Sequence, residues 1–243
     1  MNKLYIIILS FFINIIDQNN KKKIVSFFKK KLKNKSLNII DVGAHKGETI
    51  QLFLNNFNVG KILAFEVNSN IFNRLKKNVR EIDHRKKVDL FNYGLGSHRE
   101  NKILQIFNDS SSSTFNLINK KSRYFKRKNF FLSVFKKNIL LNKKLIQIFP
   151  LSHFKELNKI KKIDILKIDT EGYELNVLKG IKPSDFKKIK YVYFEHHYDL
   201  MIKKNYKFSD IKKFLKKNNF ILRFKIRMKF RKTFEYIYEN KKK

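Results

Sequence analysis

The chain has 243 residues and carries 56 Lys and Arg against 20 Asp and Glu, a formal net charge of +36. Apolar residues make up 42% and include 25 Phe, which excludes a disordered polar chain, and the length suits one domain with a full core better than two. Cysteine is absent, so disulfides and thiolate metal sites are excluded, and a reducing cytoplasm is the expected compartment.

The positive excess would concentrate anions such as RNA, acidic lipid or a phosphorylated substrate. Lysine is spread along the whole chain, however, together with abundant Asn, Ile and Phe, no Trp and only 2 Pro. That pattern reads as an A+T-rich coding bias. Nucleic acid is therefore not the expected partner, while peripheral contact with an anionic membrane is retained as an expectation.

In chain order, the stretch Leu4 to Ile16 is apolar apart from Ser10 and Asn14. It falls short of the ~20 residues that a membrane span needs, and it lacks the small-residue cleavage site of a signal peptide. Ile24, Val25, Phe27, Phe28 and Leu32 continue a helical spacing, so residues 1–36 are read as a helical extension docked on a domain covering 37–243.

Short apolar runs at Leu37 to Val42, Lys61 to Phe65, Val88 to Tyr93, Ile163 to Ile168 and Tyr191 to Phe194 read as buried strands. Helical patterns at Glu48 to Phe57, Ser69 to Val79, Tyr173 to Lys179 and Ser209 to Lys217 lie between most of them. The alternation predicts an α/β fold, Rossmann-like and doubly wound around a mostly parallel sheet, with an antiparallel C-terminal hairpin. Residues 97–158 break the alternation as an insertion between the third and fourth strands. It includes an expected hairpin at Lys102 to Phe107 and a helix face of Phe131, Leu132, Phe135 and Ile139 with Arg123, Lys126, Arg127 and Lys128 between. This is the candidate lid or substrate-binding element, because loops at strand ends surround the ligand crevice.

The segment "IIDVGAHKGETI" places two of only 7 glycines, Gly43 and Gly47, in the turn after the first strand. Such a turn brings backbone amides and a helix N-terminus towards a ligand, where glycine permits close approach. Asp41 ends the strand. In "ILAFEVN", Glu66 follows roughly 20 residues later, the place at which an acid hydrogen-bonds a ribose diol. Neither G-x-G-x-x-G nor a phosphate loop is present, which suits a nucleoside cofactor without a pyrophosphate cradle, S-adenosylmethionine. Asp169 in "ILKIDTEGYELNVLKG" ends the fourth strand, with Glu171 and Glu174 following. Each also has a plain structural role open to it, as a helix cap, a first-turn acid or a surface partner of lysines.

Together with "YVYFEHHYDLMIKKNYKFSDIKKFLKKNNF", these motifs resemble the FkbM-type methyltransferases, a branch of the Rossmann-like S-adenosylmethionine-dependent enzymes, over roughly residues 37 to 240. The resemblance implies that Asp41, Gly43, Ala44, His45 and Gly47 line the methionine end of the cofactor, that Glu66 binds the ribose, and that Tyr93, Gly94 and Leu95 lie near the adenine. It also implies that Asp169 and Glu171 face the methyl acceptor, with Glu195 and His196 at the same crevice. Where the family carries Thr-Leu-Asp ahead of the fourth strand, this chain has Pro150, Leu151, Ser152 and His153, so a supporting carboxylate is lacking.

The expected activity is O-methylation of a sugar, glycolipid or related metabolite, with Asp169 or His196 as general base. His45 can simply pack in its turn, and His84, His98 and His153 fall in polar stretches and read as solvated. Oxygen ligands from Asp169, Glu171 and Glu195 would suit Mg²⁺, yet no spacing demands a metal and none is expected. An RNA methyltransferase, prompted by the charge, and a catalytically silent cofactor-binding protein are the alternatives. In "ILRFKIRMKFRK", basic residues alternate with apolar ones from Arg223 to Arg231, which reads as a strand whose charged face protects an edge.

Overall fold

A computed structural model describes residues 3–33, 35–107, 113–134, 141–228 and 232–242, with the backbone alone at 3–17, 128, 131–134 and 141. Helix α1 (Lys3–Leu32) leads into strand β1 (Leu37–Val42), helix α2 (Glu48–Asn56), β2 (Val59–Phe65), α3 (Ser69–Ile82) and β3 (Val88–Phe91). Next come β4 (Gly94–Leu95), β5 (Glu100–Phe107), β6 (Ser113–Thr114), β7 (Leu117–Ile118), α4 (Arg123–Val134), β8 (Leu141–Phe149) and α5 (Lys155–Asn158). The alternation resumes with β9 (Ile163–Ile168), α6 (Glu174–Lys179), α7 (Pro183–Phe186), β10 (Ile189–His197), β11 (Ile202–Lys203), α8 (Phe208–Lys217), β12 (Phe220–Met228) and β13 (Thr233–Asn240).

Seven strands form the central sheet in the order β12-β13-β10-β9-β1-β2-β3. Five of them, from β3 to β10, are parallel. β13 runs antiparallel between β10 and β12. This is the Rossmann-like α/β architecture that the alternation predicts, C-terminal hairpin included.

Side-chain alternation along each strand feeds two cores. On one face, Ile40, Val42, Leu166, Ile168, Val192 and Phe194 pack with Leu175 and Leu178 of α6 and Ile211 and Leu215 of α8. On the other, Ile39, Ile62, Ile165 and Tyr191 pack with Ile24, Phe28 and Leu32 of α1 and with Phe53 and Leu75 of α2 and α3. Because both faces are covered, β9 is buried at every residue, and its sequence is accordingly mostly apolar, Asp164 and Lys167 being the two charged residues and both ion-paired.

The insertion folds differently from the local hairpin expected at Lys102 to Phe107. β5 pairs along its length with the distant β8, from Glu100 opposite Ile148 to Phe107 opposite Leu141, and a small sheet of order β4-β8-β5-β6 results. Alternation signals a strand but does not name its partner. Of the expected helix face, Phe135 and Ile139 lie outside the described residues, as do the side chains of Lys128, Phe131 and Leu132.

β12 is an edge strand of the central sheet. Its Arg223 meets Glu239 at 2.6 Å and its Lys225 lies 4.4 Å from the ring centre of Phe234. Charges engaged on their own hairpin fit the guarding of an edge. Lys229, Phe230 and Arg231 lie outside the described residues.

Candidate active site

Strand order reverses between β1 and β9, and the crevice opens at their C-terminal ends, where doubly wound sheets bind ligands. A cavity of about 740 Å³ lies there. β1 and its turn contribute Val42, Gly43, Ala44 and His45 to the wall, β2 contributes Phe65 and Glu66, and the segment after β3 contributes Tyr93, Gly94 and Leu95. Asp169, Thr170 and Glu171 follow β9, while Tyr193, Glu195 and His197 come from β10 and Glu235 from β13. The insertion closes one side with Leu104, Ser113, Phe115 and Tyr124.

In the turn after β1, a Cβ on Gly43 would sit 1.9 Å from the backbone oxygen of Asp169, and its φ is +83°. The glycine is thus required by the close approach of β9, before any ligand is considered. Gly47 takes φ +95° as the residue capping α2. All five amides of the turn are spent within it or on its neighbours. Gly43 and Ala44 donate to the Phe65 carbonyl, and Gly47 donates to Ala44. The His45 amide donates to Glu66 Oε2 at 2.9 Å and the Lys46 amide to Glu48 Oε2 at 3.1 Å. No amide is left over to cradle a pyrophosphate.

Glu66 is buried, and its second oxygen accepts from the Asn68 amide at 2.8 Å. Burial raises its pKa against the pull of these two amides. Glu48 is the opposite case. Burial would raise it, but hydrogen bonds, with His45 foremost, take it down to about 2.

The loop after β9 is clamped from several directions. Glu174, fully buried, accepts from the Gly172 amide at 2.8 Å and from Thr170 Oγ1 at 3.3 Å, and the Tyr206 hydroxyl donates to its other oxygen. Thr114 Oγ1 donates to the Glu171 carbonyl at 2.8 Å and Asn116 to the Gly172 carbonyl at 2.7 Å. These bonds hold Glu171 at φ 50°, a backbone state that costs about 1–3 kcal/mol in a non-glycine residue and concentrates at functional sites. Glu174 is therefore an internal strut, not the lysine partner at the surface that its sequence also allowed.

Beneath the crevice a polar row crosses the sheet. Asp41 of β1 stands in register with Lys167 of β9, and Lys167 with Tyr193 of β10. Lys167 Nζ lies 3.5 Å from Asp41 Oδ1 and 3.4 Å from Asp169 Oδ2, and the Tyr193 hydroxyl donates to Glu235 at 2.9 Å. Burial alone would depress Lys167, but Asp41, Asp169 and Glu195 outweigh it and hold the ammonium charged. Glu195 is pushed well above the carboxylate range by burial and by Asp169. His197 Nε2 lies 3.2 Å from Glu171 and 3.4 Å from Glu195, and its Nδ1 lies 3.6 Å from Asp199. Burial opposes the imidazolium, yet Glu171, Asp199 and Glu195 raise its pKa to about 10. Among the described residues, no group of three His, Asp or Glu is arranged to hold a metal ion.

The methyltransferase FkbM domain matches residues 41–222. The chain belongs to the FkbM methyltransferase family. A solved FkbM methyltransferase from Methylobacillus flagellatus KT is 16% identical with a TM-score of 0.50, the alignment covering 84% of this chain and 44% of that one. TrmK of M. capricolum, solved with S-adenosyl-homocysteine, is 14% identical over 91% of this chain and 68% of its own, TM-score 0.48. The ribosomal protein L11 methylase of Lactobacillus delbrueckii subsp. bulgaricus is 11% identical over 91% and 79%, TM-score 0.48. At 16% identity the likeness to the M. flagellatus structure is one of fold. No curated protein matches the sequence.

As a family member the chain is an S-adenosylmethionine-dependent methyltransferase, and its crevice fits that cofactor. The ligand brings a ribose diol, an ammonium and a positively charged sulfur, all of which seek acceptors, and it brings no phosphate. Carboxylates from Glu48, Glu66, Asp169 and Glu171 line the wall while the turn amides are already engaged. Tyr93, half-exposed and edge-on to Phe149 at 5.4 Å, presents an aromatic surface at the end of β3.

Of the residues anticipated for the cofactor, Gly43, Ala44, His45, Glu66, Tyr93, Gly94 and Leu95 line the cavity, whereas Asp41 and Gly47 do not. Asp41 is 1% exposed within β1, below the turn against Lys167, and a Cβ on Gly47 would face Leu75 of α3. Asp169 and Glu171 line the cavity and His196 does not. Successive side chains of a strand face opposite sides, so His196 points away, packed among Tyr198, Tyr206 and Phe208. Burial there, with Lys204 nearby, lowers its pKa to about 3. The crevice histidine is His197. Lys167, His197 and Glu235 escaped the sequence reading, although period two along "ILKID" and "YFEHH" would have placed Lys167 with Asp169 and His197 with Glu195.

Proposed function

We propose that the acceptor is an uncharged hydroxyl of a sugar, glycolipid or related metabolite. The supporting observation is the chemistry of the wall beyond the donor half. Asp169, Glu171, Glu195 and Glu235 converge there with Lys167 and His197 as counter-charges. Such a surface accepts and donates hydrogen bonds to a polyol, and its two cations are already engaged by carboxylates rather than offered to a phosphate backbone. For this reason the net charge of +36 does not favour RNA as acceptor. RNA methylation would show binding that weakens steeply with salt.

S-adenosylmethionine supplies a methyl group on a cationic sulfur, open to in-line displacement. The protein's task is placement and proton removal. In this reading Asp169 is the general base. Lys167 holds its Oδ2 at 3.4 Å, leaving Oδ1 to take the proton of the acceptor hydroxyl. His197, an imidazolium at neutral pH, cannot take a proton and instead fixes Glu171. Glu171 orients the acceptor.

Titration calorimetry with S-adenosylhomocysteine, followed by transfer of labelled methyl from S-adenosylmethionine to a panel of glycosides and glycolipids, tests the reading. Hydroxyl methylation that Asp169→Asn abolishes while product binding persists supports it. Transfer to RNA, or cofactor binding without turnover on any acceptor, sinks it.

A further inference from the structure

We infer that the first half of α1 inserts into the headgroup and acyl boundary of an anionic membrane, beside the mouth of the crevice. α1 is a single helix of 30 residues, about 45 Å long at 1.5 Å per residue. Its second half lies on the sheet through buried Ile24, Phe28 and Leu32. Asn20 is also buried, and its amide donates to the Arg227 carbonyl at 3.5 Å and to the Met228 sulfur at 3.3 Å. Met228 ends β12 at the crevice, and Gln18 and Lys21 line the cavity itself. The helix has therefore reached the mouth by Gln18. The backbone of residues 3–17 continues it by about 22 Å.

The sequence of that continuation is apolar from Leu4 to Ile16 apart from Ser10 and Asn14. A helix apolar on every side is one buried in protein or in lipid. Lys21, Lys22 and Lys23 follow it and are exposed, and α1 as a whole has seven lysines against one aspartate, Asp17. An apolar segment with a lysine collar complements acyl chains beneath anionic headgroups. A second copy of this chain is a poor occupant, because it would bring together two such collars on molecules of charge +36 each. Among the described residues no helix is long and apolar enough to cross a membrane, so the helix enters the interface without spanning it.

A groove of about 480 Å³ between α1 and α2 opens at the same place. Gln18, Lys21 and Leu52 belong to both groove and cavity, while Val25 contributes apolar floor and Lys22 and Lys29 the rim. The docked helix thus sets the crevice mouth at the lipid surface.

The chain contains no Trp, so Phe11→Trp creates a unique reporter in the full-length protein. Its emission should shift to the blue and be quenched by brominated acyl chains on addition of vesicles of phosphatidylcholine mixed with phosphatidylglycerol. Vesicles of phosphatidylcholine alone should bind far more weakly. Lys22→Glu with Lys23→Glu should reduce anionic-vesicle affinity by at least about tenfold, and added salt should reduce it further. Phe12→Asp should stop sedimentation with vesicles while S-adenosylhomocysteine binding, the check on folding, persists. Emission indifferent to both vesicle types overturns the inference. So does equal binding to neutral vesicles, a blue shift that follows protein concentration without lipid, or sedimentation that survives Phe12→Asp. None of these outcomes bears on the acceptor hydroxyl.

Discussion

Lys167 is the residue whose removal would reveal most about how the site is held. Its side chain is 9% exposed and joins Asp41, itself 1% exposed, to Asp169 at 3.5 and 3.4 Å. Lys167→Met keeps much of the stem and removes the charge, leaving a buried carboxylate uncompensated. Breaking a buried pair in this way costs about 3–5 kcal/mol, a large part of the ~5–15 kcal/mol that stabilises a domain. Asp41→Asn with Lys167→Met removes both charges and should recover about 2 kcal/mol or more of the loss, a coupling that adjacent sites show and independent ones do not. The pH dependence has a definite sign. Burial raises the Asp41 pKa above 3.8 while Lys167 opposes the rise. A raised carboxylate contributes stability below its unfolded pKa that is lost as pH climbs through the folded value. Without Lys167 the rise grows, so the deficit of the single variant should be small in acid and full at neutral pH. Urea denaturation at both conditions measures it. A neutral-pH cost under about 1 kcal/mol, or strict additivity in the double variant, would refute the pairing argument.

Glu66→Gln should weaken S-adenosylhomocysteine binding by about 1–3 kcal/mol in calorimetry, the cost of a lost charge-assisted bond. An unchanged affinity would remove Glu66 from the ribose. Gly43→Ala should lower stability by about 3 kcal/mol or more, because the added carbon meets the Asp169 carbonyl at 1.9 Å in left-handed backbone, and a wild-type melting temperature would contradict that contact. In ¹⁵N spectra neither His196 nor His197 should titrate between pH 6 and 8, flagged by pKa values of about 3 and about 10. The raised value of His197 contributes stability below about 6.5 that is lost towards pH 10, and the lowered value of His196 contributes stability above about 6.5 that is lost towards pH 3.

Much of this was legible in the sequence because strands buried on both faces read as apolar runs. Leu37–Val42 and Ile163–Ile168 are legible to the residue, and the glycine turn and Glu66 mark the crevice. Partner choice was not legible, since β5 and β8 meet across a long loop and period two names no partner. The resemblance and the ordinary imidazole pKa point to His196 and leave His197 unweighed, whereas the face of Glu195 decides which histidine looks into the cavity. At the strand end Asp41 can hold the loop or reach a ligand, and only the resemblance places it at the cofactor; in the fold it is buried against Lys167. The lysine that claims it lies on a strand far along the chain, and no local pattern links the two.

The distribution of charge within the crevice bears on turnover. Methyl transfer discharges a sulfonium to a neutral thioether, so a carboxylate wall binds donor more tightly than product and eases product release. The same attraction, if strong, would hold the ground state and slow transfer, since only binding that increases in the transition state accelerates it. Here the wall is trimmed. Lys167 and His197 face Asp169, Glu171 and Glu195, and Glu195 is pushed towards its neutral form by burial and Asp169. Replacing His197 by glutamine removes a positive charge and leaves an amide in place of the Nδ1 that lies 3.2 Å from Thr233 Oγ1 and 3.6 Å from Asp199. The ratio of donor to product affinity should then rise by about fivefold, on the order of 1 kcal/mol for one charge felt across a partly solvated crevice, while kcat falls. Calorimetry with both ligands gives the ratio directly. If it stays constant or declines, the imidazolium does not moderate the wall, and His197 serves only to position Glu171.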